Sequence, residues 1–265
     1  MSDEDQFPEA TTRLRQRAFA FGVIPALIGG VVGWLILGAI GAAVLFLLIG
    51  VAWFVWARSM LGSAVDKLVE ATNPHGFLEG GSSVSALTNA VDGVRVMTGV
   101  EMPEIRLISS DAANALCAAG PDRSVIVVTT ALLKSSGPTE LESIAAELVC
   151  RVRDGSAEYL TTASAIPAWL QSVAGASPAS AAKTLGEQRS ARADLEAVAL
   201  TRYPPALIAA LTQMAETGTI VADAQPLTAP HWIAEGVVAG VAANADLVET
   251  AVQPIDYRVA VLREL

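Results

Sequence analysis

The sequence predicts an α+β domain, rich in helix around one small sheet, behind an N-terminal hairpin of two membrane-spanning helices. Three observations predict it. The run from Ala18 to Ala57 carries no charged side chain and is about twice the roughly 20 apolar residues that one transmembrane helix needs. Two stretches between Glu104 and Thr130 alternate or run apolar as short strands do. Apolar residues at helical spacing fill most of the chain after Thr130.

Composition narrows the function classes. Of 265 residues, 52% are hydrophobic and 17% charged, and the mean hydropathy of +0.48 is high for a wholly soluble chain. The net charge of -10 and the lack of a basic patch argue against nucleic acid as a partner. Two cysteines do not make a disulfide framework and fit a reducing compartment. Only two histidines occur, His75 and His231.

Residues 1–17 read as a disordered cytoplasmic tail, acidic and polar at its start. The apolar run 18–57 reads as two spans, about 18–37 and 40–57, because Gly38 and Gly41 permit a tight reversal between them. It is too long for the apolar core of a signal peptide. Arg13, Arg15 and Arg17 precede it and Arg58 follows it. A hairpin keeps both clusters on the cytoplasmic side, as the positive-inside tendency prefers. The expected location is the plasma (inner) membrane, multi-pass, with the main domain, 58–265, in the cytoplasm.

Along that domain, Ser59 to Glu70 continues as an amphipathic stem, and Thr72 to Gly76 is a turn. Val84 to Thr98 is a helix burying Leu87, Val91, Val94 and Met97. Glu104 to Ser109 and Ser124 to Thr130 are strands, with a short edge strand from Asn114 to a turn at Gly120. Thr139 to Val152 is a helix, opened by a capping box of Thr139 and Glu142. Glu158 to Val173 is helical with a break at Pro167, and Ala174 to Ala182 is a loop. Helices follow over Thr184–Thr201, from Pro204 to about Glu216, over His231–Ala243 and over Ile255–Leu265.

The order of these pieces carries a resemblance. Asn73-Pro74, a helix, Gly99 to Pro103, a strand, Asn114-Ala115 with Gly120, a strand, Leu132-Leu133 and then Glu140 to Leu148 succeed one another. That succession resembles the HtpX and CAAX-prenyl-protease type of zinc metallopeptidase. Pro254 to Leu262 is similar to the family's C-terminal signature, and the N-terminal hairpin is shared with HtpX-like relatives. The resemblance implies a zincin-like fold from about Ala71 to Leu265.

The family's HExxH helix puts two zinc-binding histidines on one face and a water-activating glutamate beside them. Here that motif falls on Ala146-Glu147-Leu148-Val149-Cys150, and the family's downstream ExxAD on Ser190-Ala191-Arg192-Ala193-Asp194. The resemblance thus implies that Ala146, Cys150 and Ser190 stand where the zinc ligands would be. Glu147 remains as a vestigial general base and Asp194 as a vestigial support. Catalytic zinc needs three protein ligands and an open position for water, so no cofactor is expected. The expected role is a pseudopeptidase: a scaffold, adaptor or regulator that binds a membrane protein or peptide. Asn114 and Ala115, on the strand that lines the family's substrate groove, could pair with an extended peptide.

Other readings stay open. A divergent zinc endopeptidase in membrane protein quality control could rebuild its site from Cys117, Cys150, Glu147 and Glu187. Against it, free cysteines are commonly small buried hydrophobes, and Glu147 could pair with Arg151 or Arg192 or face water. His75 and His231 read as loop and packing residues. Alternatively, the chain could be a subunit of a membrane complex, packing through Gly29, Gly30, Gly33, Gly38 and Gly41.

Overall fold

The computed structural model describes residues 6–79, 82–186, 188–237 and 252–265. Helix α1 (Gln6–Ala20) leads through a turn at Phe21-Gly22 into the apolar helix α2 (Val23–Gly62) and the short α3 (Ala64–Glu70). Then come α4 (Ser82–Thr98), β1 (Glu104–Ile108), β2 (Ala115–Ala119), β3 (Ser124–Thr129), α5 (Thr130–Ser135), α6 (Pro138–Arg153), α7 (Ser156–Ala165) and α8 (Ala168–Ala174). The chain continues with α9 (Pro178–Leu185), α10 (Arg189–Thr201), α11 (Pro204–Thr217), a 3-10 turn (Pro226–His231) and α12 (Ile255–Leu262). The α+β class, rich in helix with one small sheet, is as expected.

The sheet has the order β1-β3-β2, with β1 parallel and β2 antiparallel to β3. Both β2 and β3 are buried on both faces, which is why neither alternates in polarity. On one face Cys117, Ile126 and Val128 pack against Leu87 and Val91 of α4 and Ile144, Ala145 and Leu148 of α6. On the other, Leu116, Val125 and Val127 pack with Leu68 of α3 and with Trp232. Helix α6 thus lies in the centre of the domain, with α10 and α11 beside it. Leu148 has no exposed surface; burying one such side chain contributes about 1.5–3 kcal/mol.

Helix α2 is long and apolar enough to cross a membrane. At Gly38 its backbone leaves the helical region, with φ 68° and ψ −151°, a conformation open essentially only to glycine. The segments on either side face each other. A Cβ on Gly33 would overlap the Gly41 carbonyl, and one on Gly29 the side chain of Ile49. The break falls on Gly38 alone, and Gly41 is helical. The first segment begins at Val23, later than the expected 18, and the second runs on to Gly62, past the expected 57.

Five local expectations need correction. Residues 6–17 are helical, not a disordered tail: Phe7, Thr11, Leu14 and Ala18 recur on one face of α1 and are buried, and Arg15 pairs with Glu158 of α7 at 2.7 Å. Thr139 does not cap α6, because Gly137 takes the N-cap and Pro138 the first turn. Pro178–Leu185 is helical, started by Ser177, whose hydroxyl accepts from the Ser180 N–H. Met97 is 56% exposed although Leu87, Val91 and Val94 of its helix are buried. The helix expected over Thr184–Thr201 starts only at Arg189, after Gly186 turns the backbone with φ 74°.

Candidate functional site

Glu147 and Asp194 meet through Arg258 where α6, α10 and α12 pack. Glu147 lies mid-way along α6, one turn before Arg151, and neither has any exposed surface. The Arg151 Nη2 donates to Glu147 Oε1, and its Nη1 donates to the carbonyls of Trp232 at 3.2 Å and His231 at 3.4 Å. Arg258 of α12 grips Asp194 of α10 with two hydrogen bonds of 2.6 Å, from Nε and Nη2. The same Nη2 stands 3.8 Å from Glu147 Oε1, and Nη1 donates to the Ile233 carbonyl. Such a forked, charge-assisted pair is the strong geometry for arginine.

A third buried guanidinium, Arg189 at the start of α10, donates through Nη2 to Ser156 Oγ at 3.3 Å. Ser156 Oγ in turn donates to the Arg151 carbonyl at 3.4 Å. His231 is buried with its Nε2 3.0 Å from Ser164 Oγ. Among the described residues, Glu147 Oε2, Arg151 Nε, Arg189 Nε and Nη1, and His231 Nδ1 have no hydrogen-bond partner.

Burial sets the ionisation here. It raises the Glu147 carboxyl above its ordinary value, against the pull of Arg151 and then Arg258. It pushes the Cys117 thiol up to about 12, and the Cys150 thiol to about 12. It lowers His231 to about 3, with Arg189 and Arg151 adding to the effect, so the ring is neutral. Arg189 falls to about 10, by burial and then the charge of Arg151, and stays protonated at neutral pH.

These side chains do not fit a zinc ion. Ala146 offers no ligand. Cys150 is buried and would supply one thiolate at most, where catalytic zinc needs three protein ligands. Ser190 is buried at the start of α10, where its N–H donates to Gln253 Oε1 at 2.7 Å. Among the described residues no three of His, Cys, Asp and Glu gather as a metal site. A divalent cation beside Glu147 would also meet the guanidinium already on that carboxylate.

Other expected site residues lie elsewhere or are occupied. Asn114 is fully buried, and its side chain donates to the Thr219 and Ala234 carbonyls, each at 3.0 Å, and accepts from the Ala115 N–H at 2.9 Å. The Ala115 carbonyl accepts from the Ile233 N–H at 2.8 Å, and Leu116 forms a bridge with Trp232. The expected open groove along Asn114 and Ala115 is therefore corrected: the chain's own Trp232–Ala234 segment covers that edge. It also replaces the start of the helix expected over His231–Ala243: residues 232–237 are not helical, and 238–243 lie, like Glu187, outside the described residues. Arg192 is exposed and takes no part in the cluster. His75 is exposed in its turn, where its N–H donates to Asn73 Oδ1. Sequence reasoning missed Arg189 and Arg258 as members of the site. For Arg258 the available signal was a lone basic residue in the apolar stretch Tyr257–Leu262, which is costly to bury without a purpose; Arg189, beside Gln188 and near Arg192, carried none.

No family model matches the chain. Several curated relatives do, each described as "Protease HtpX homolog". The chain is 28% identical to the protein of Leuconostoc mesenteroides, over 57% of its own length and 50% of that protein. It is 26% identical to that of Limosilactobacillus fermentum, over 73% of the chain and 77% of the relative. It is 26% identical to that of Dictyoglomus turgidum, over 56% and 59%. The chain thus spans only half the length of the Leuconostoc relative. These matches, at 26–28% identity, make the chain similar to HtpX-like peptidases and support that family for it.

Proposed function

We propose that this chain is a membrane-anchored, non-catalytic member of its family: a scaffold, adaptor or regulator that binds a membrane protein or peptide without cutting it. The observation that carries this is the Arg151 guanidinium on Glu147, at the place where a family enzyme's glutamate would face a metal-bound water. A general base must be free to take a proton from water. Glu147 has one oxygen on a permanent cation and no exposed surface. Without a zinc ion, nothing lowers the pKa of a water toward neutrality. The positions Ala146, Cys150 and Ser190 are accordingly read as vacated ligand positions, and no cofactor is assigned.

The proposed topology is a hairpin that crosses the plasma membrane twice, with the main domain in the cytoplasm. The glycine break at Gly38 and the contacts of Gly29 with Ile49 and Gly33 with Gly41 support it. With Ala115 and Leu116 of β2 already paired to Ile233 and Trp232, that stretch is taken up by the chain itself and not free for a peptide. The contact is better sought on the hairpin, where Leu27, Gly30, Val31, Trp34, Ala42 and Phe46 line part of a cleft of about 720 Å³. Close packing of small residues is how helices associate in lipid.

Purification of the full chain in mild detergent, with the bound proteins identified, tests the reading together with a cleavage assay on an unfolded membrane protein. A partner that is retained by the wild type and lost with Gly30→Leu, and no cleavage, is expected. Metal-dependent cleavage that disappears in Glu147→Gln would overturn it in favour of a zinc endopeptidase.

A further inference from the structure

Away from the buried cluster, the aromatic rings at the foot of α2 form a group of their own. Trp53 and Trp56 have centroids 4.9 Å apart, and Phe21 lies 5.7 Å from Trp53. Trp169 joins them at 6.1 Å from Trp53, 6.0 Å from Trp56 and 6.2 Å from Phe21. The Trp53 indole N–H donates to the Ala18 carbonyl at 3.0 Å, which ties the group to α1. Trp169 belongs to α8, an element of the domain, so these rings join the domain to the apolar helix.

Helix α8 is two-faced and holds no charged residue. Leu170 and Ala174 are fully buried against α1, α7 and α9. Trp169 and Val173, on the opposite side, are 59% and 54% exposed. That exposed face runs on into the exposed apolar surface of α2 at Trp56 and Val55. Arg17, whose guanidinium lies against Gly175 at the end of α8, and Arg58, two residues after Trp56, are exposed beside it. From Gly38 to Trp53 and Trp56 the helix rises about 23–27 Å, close to the hydrocarbon thickness of about 30 Å. If Gly38 lies at one membrane surface, the aromatic group lies at the other.

We propose that the Trp169–Val173 face of α8 sits in the headgroup–acyl boundary of the bilayer that α2 enters, holding the domain down on the membrane surface. Each part of the face suits that environment. Tryptophan favours the interface because its ring is apolar and its N–H is polar. An uncharged exposed apolar face finds acyl chains there, and the flanking arginines find anionic headgroups. The occupant is thus the lipid surface, fixed by continuity with α2, and the inference rests on the reading of α2 as a membrane anchor.

The test uses the full chain in bilayers of phosphatidylethanolamine and phosphatidylglycerol. Carbonate extraction first asks whether the chain stays in the membrane; its release would overturn the anchor itself. A spin label is then placed at Val173→Cys, at Ala168→Cys on the same exposed side of α8, and at Thr212→Cys on exposed α11 as a control; the native cysteines are buried. Labels on α8 should collide more with oxygen, which concentrates in lipid, than with an aqueous nickel chelate. The label at Thr212 should show the reverse. Labels on α8 that behave like Thr212 in a membrane-retained chain would overturn the proposal. So would labels shielded from both reagents, which would mean a protein partner or a second copy covers the face.

Discussion

Asp194 and Glu147 are buried carboxylates on neighbouring helices, both facing Arg258, yet they are held differently. Asp194 accepts from two guanidinium nitrogens at 2.6 Å, one on each oxygen. Glu147 accepts on Oε1 from Arg151, while Oε2 has no partner among the described residues and burial raises its pKa. The difference separates two inheritances. The Asp194–Arg258 pair pins α12 onto α10 and onto the Ile233 carbonyl, a duty that needs no metal. Glu147 is held by a single cation from its own helix.

The largest expected effect comes from removing what the two share. Arg258→Met strands Asp194 and takes a cation from beside Glu147, and breaking a buried pair costs about 3–5 kcal/mol. Denaturant titration of the full chain in detergent micelles should show that loss; a change under about 1 kcal/mol would mean the pair is not buried as described. The comparison itself is tested by the single replacements. Asp194→Leu should also cost about 3–5 kcal/mol. Glu147→Leu should cost about 1–3 kcal/mol, since Arg151 keeps the His231 and Trp232 carbonyls. Equal losses would erase the distinction.

Smaller effects are expected from the neighbours of Glu147. His231 is held neutral, with its pKa lowered from 6.5 to about 3. Between those values the unfolded chain binds the proton and the folded chain does not, so stability falls as pH falls below 6.5. One such group should contribute a loss of about 1 kcal/mol between pH 6 and pH 5. His231→Gln should flatten that slope, and an unchanged slope would place the ring in water. Least of all, Glu147→Leu combined with Arg151→Met should leave stability within about 1 kcal/mol of wild type or raise it, because an apolar pair can replace a buried ion pair. A double replacement as damaging as the sum of the singles would show that the pair is needed for more than mutual compensation.

The elements that carry strong periodicity were legible in the sequence: α4, β1, β3, α6, α11 and the long charge-free run. Helix α1 was not, because Phe7, Leu14 and Ala18 are spaced among charges and are stabilised by docking on α7 and its neighbours α2, α8 and α9. At the site, Glu147 and Asp194, which share Arg258, could both be picked out from order along the chain. The pairing of Glu147 with Arg151 was legible as one option because the two are one helical turn apart. Arg189, Arg258 and Ser156 come together only through packing between helices. The closing of β2 by Trp232 and Ile233 was equally hidden, since an extended backbone pairing far along the chain leaves no local pattern.

The most direct test of the central claim is the metal content of the full chain, purified without chelator and measured with its thermal stability before and after added zinc. Zinc well below one ion per chain and no rise in melting temperature when zinc is supplied are expected. Zinc near one ion per chain that is lost in Cys150→Ser would contradict that claim.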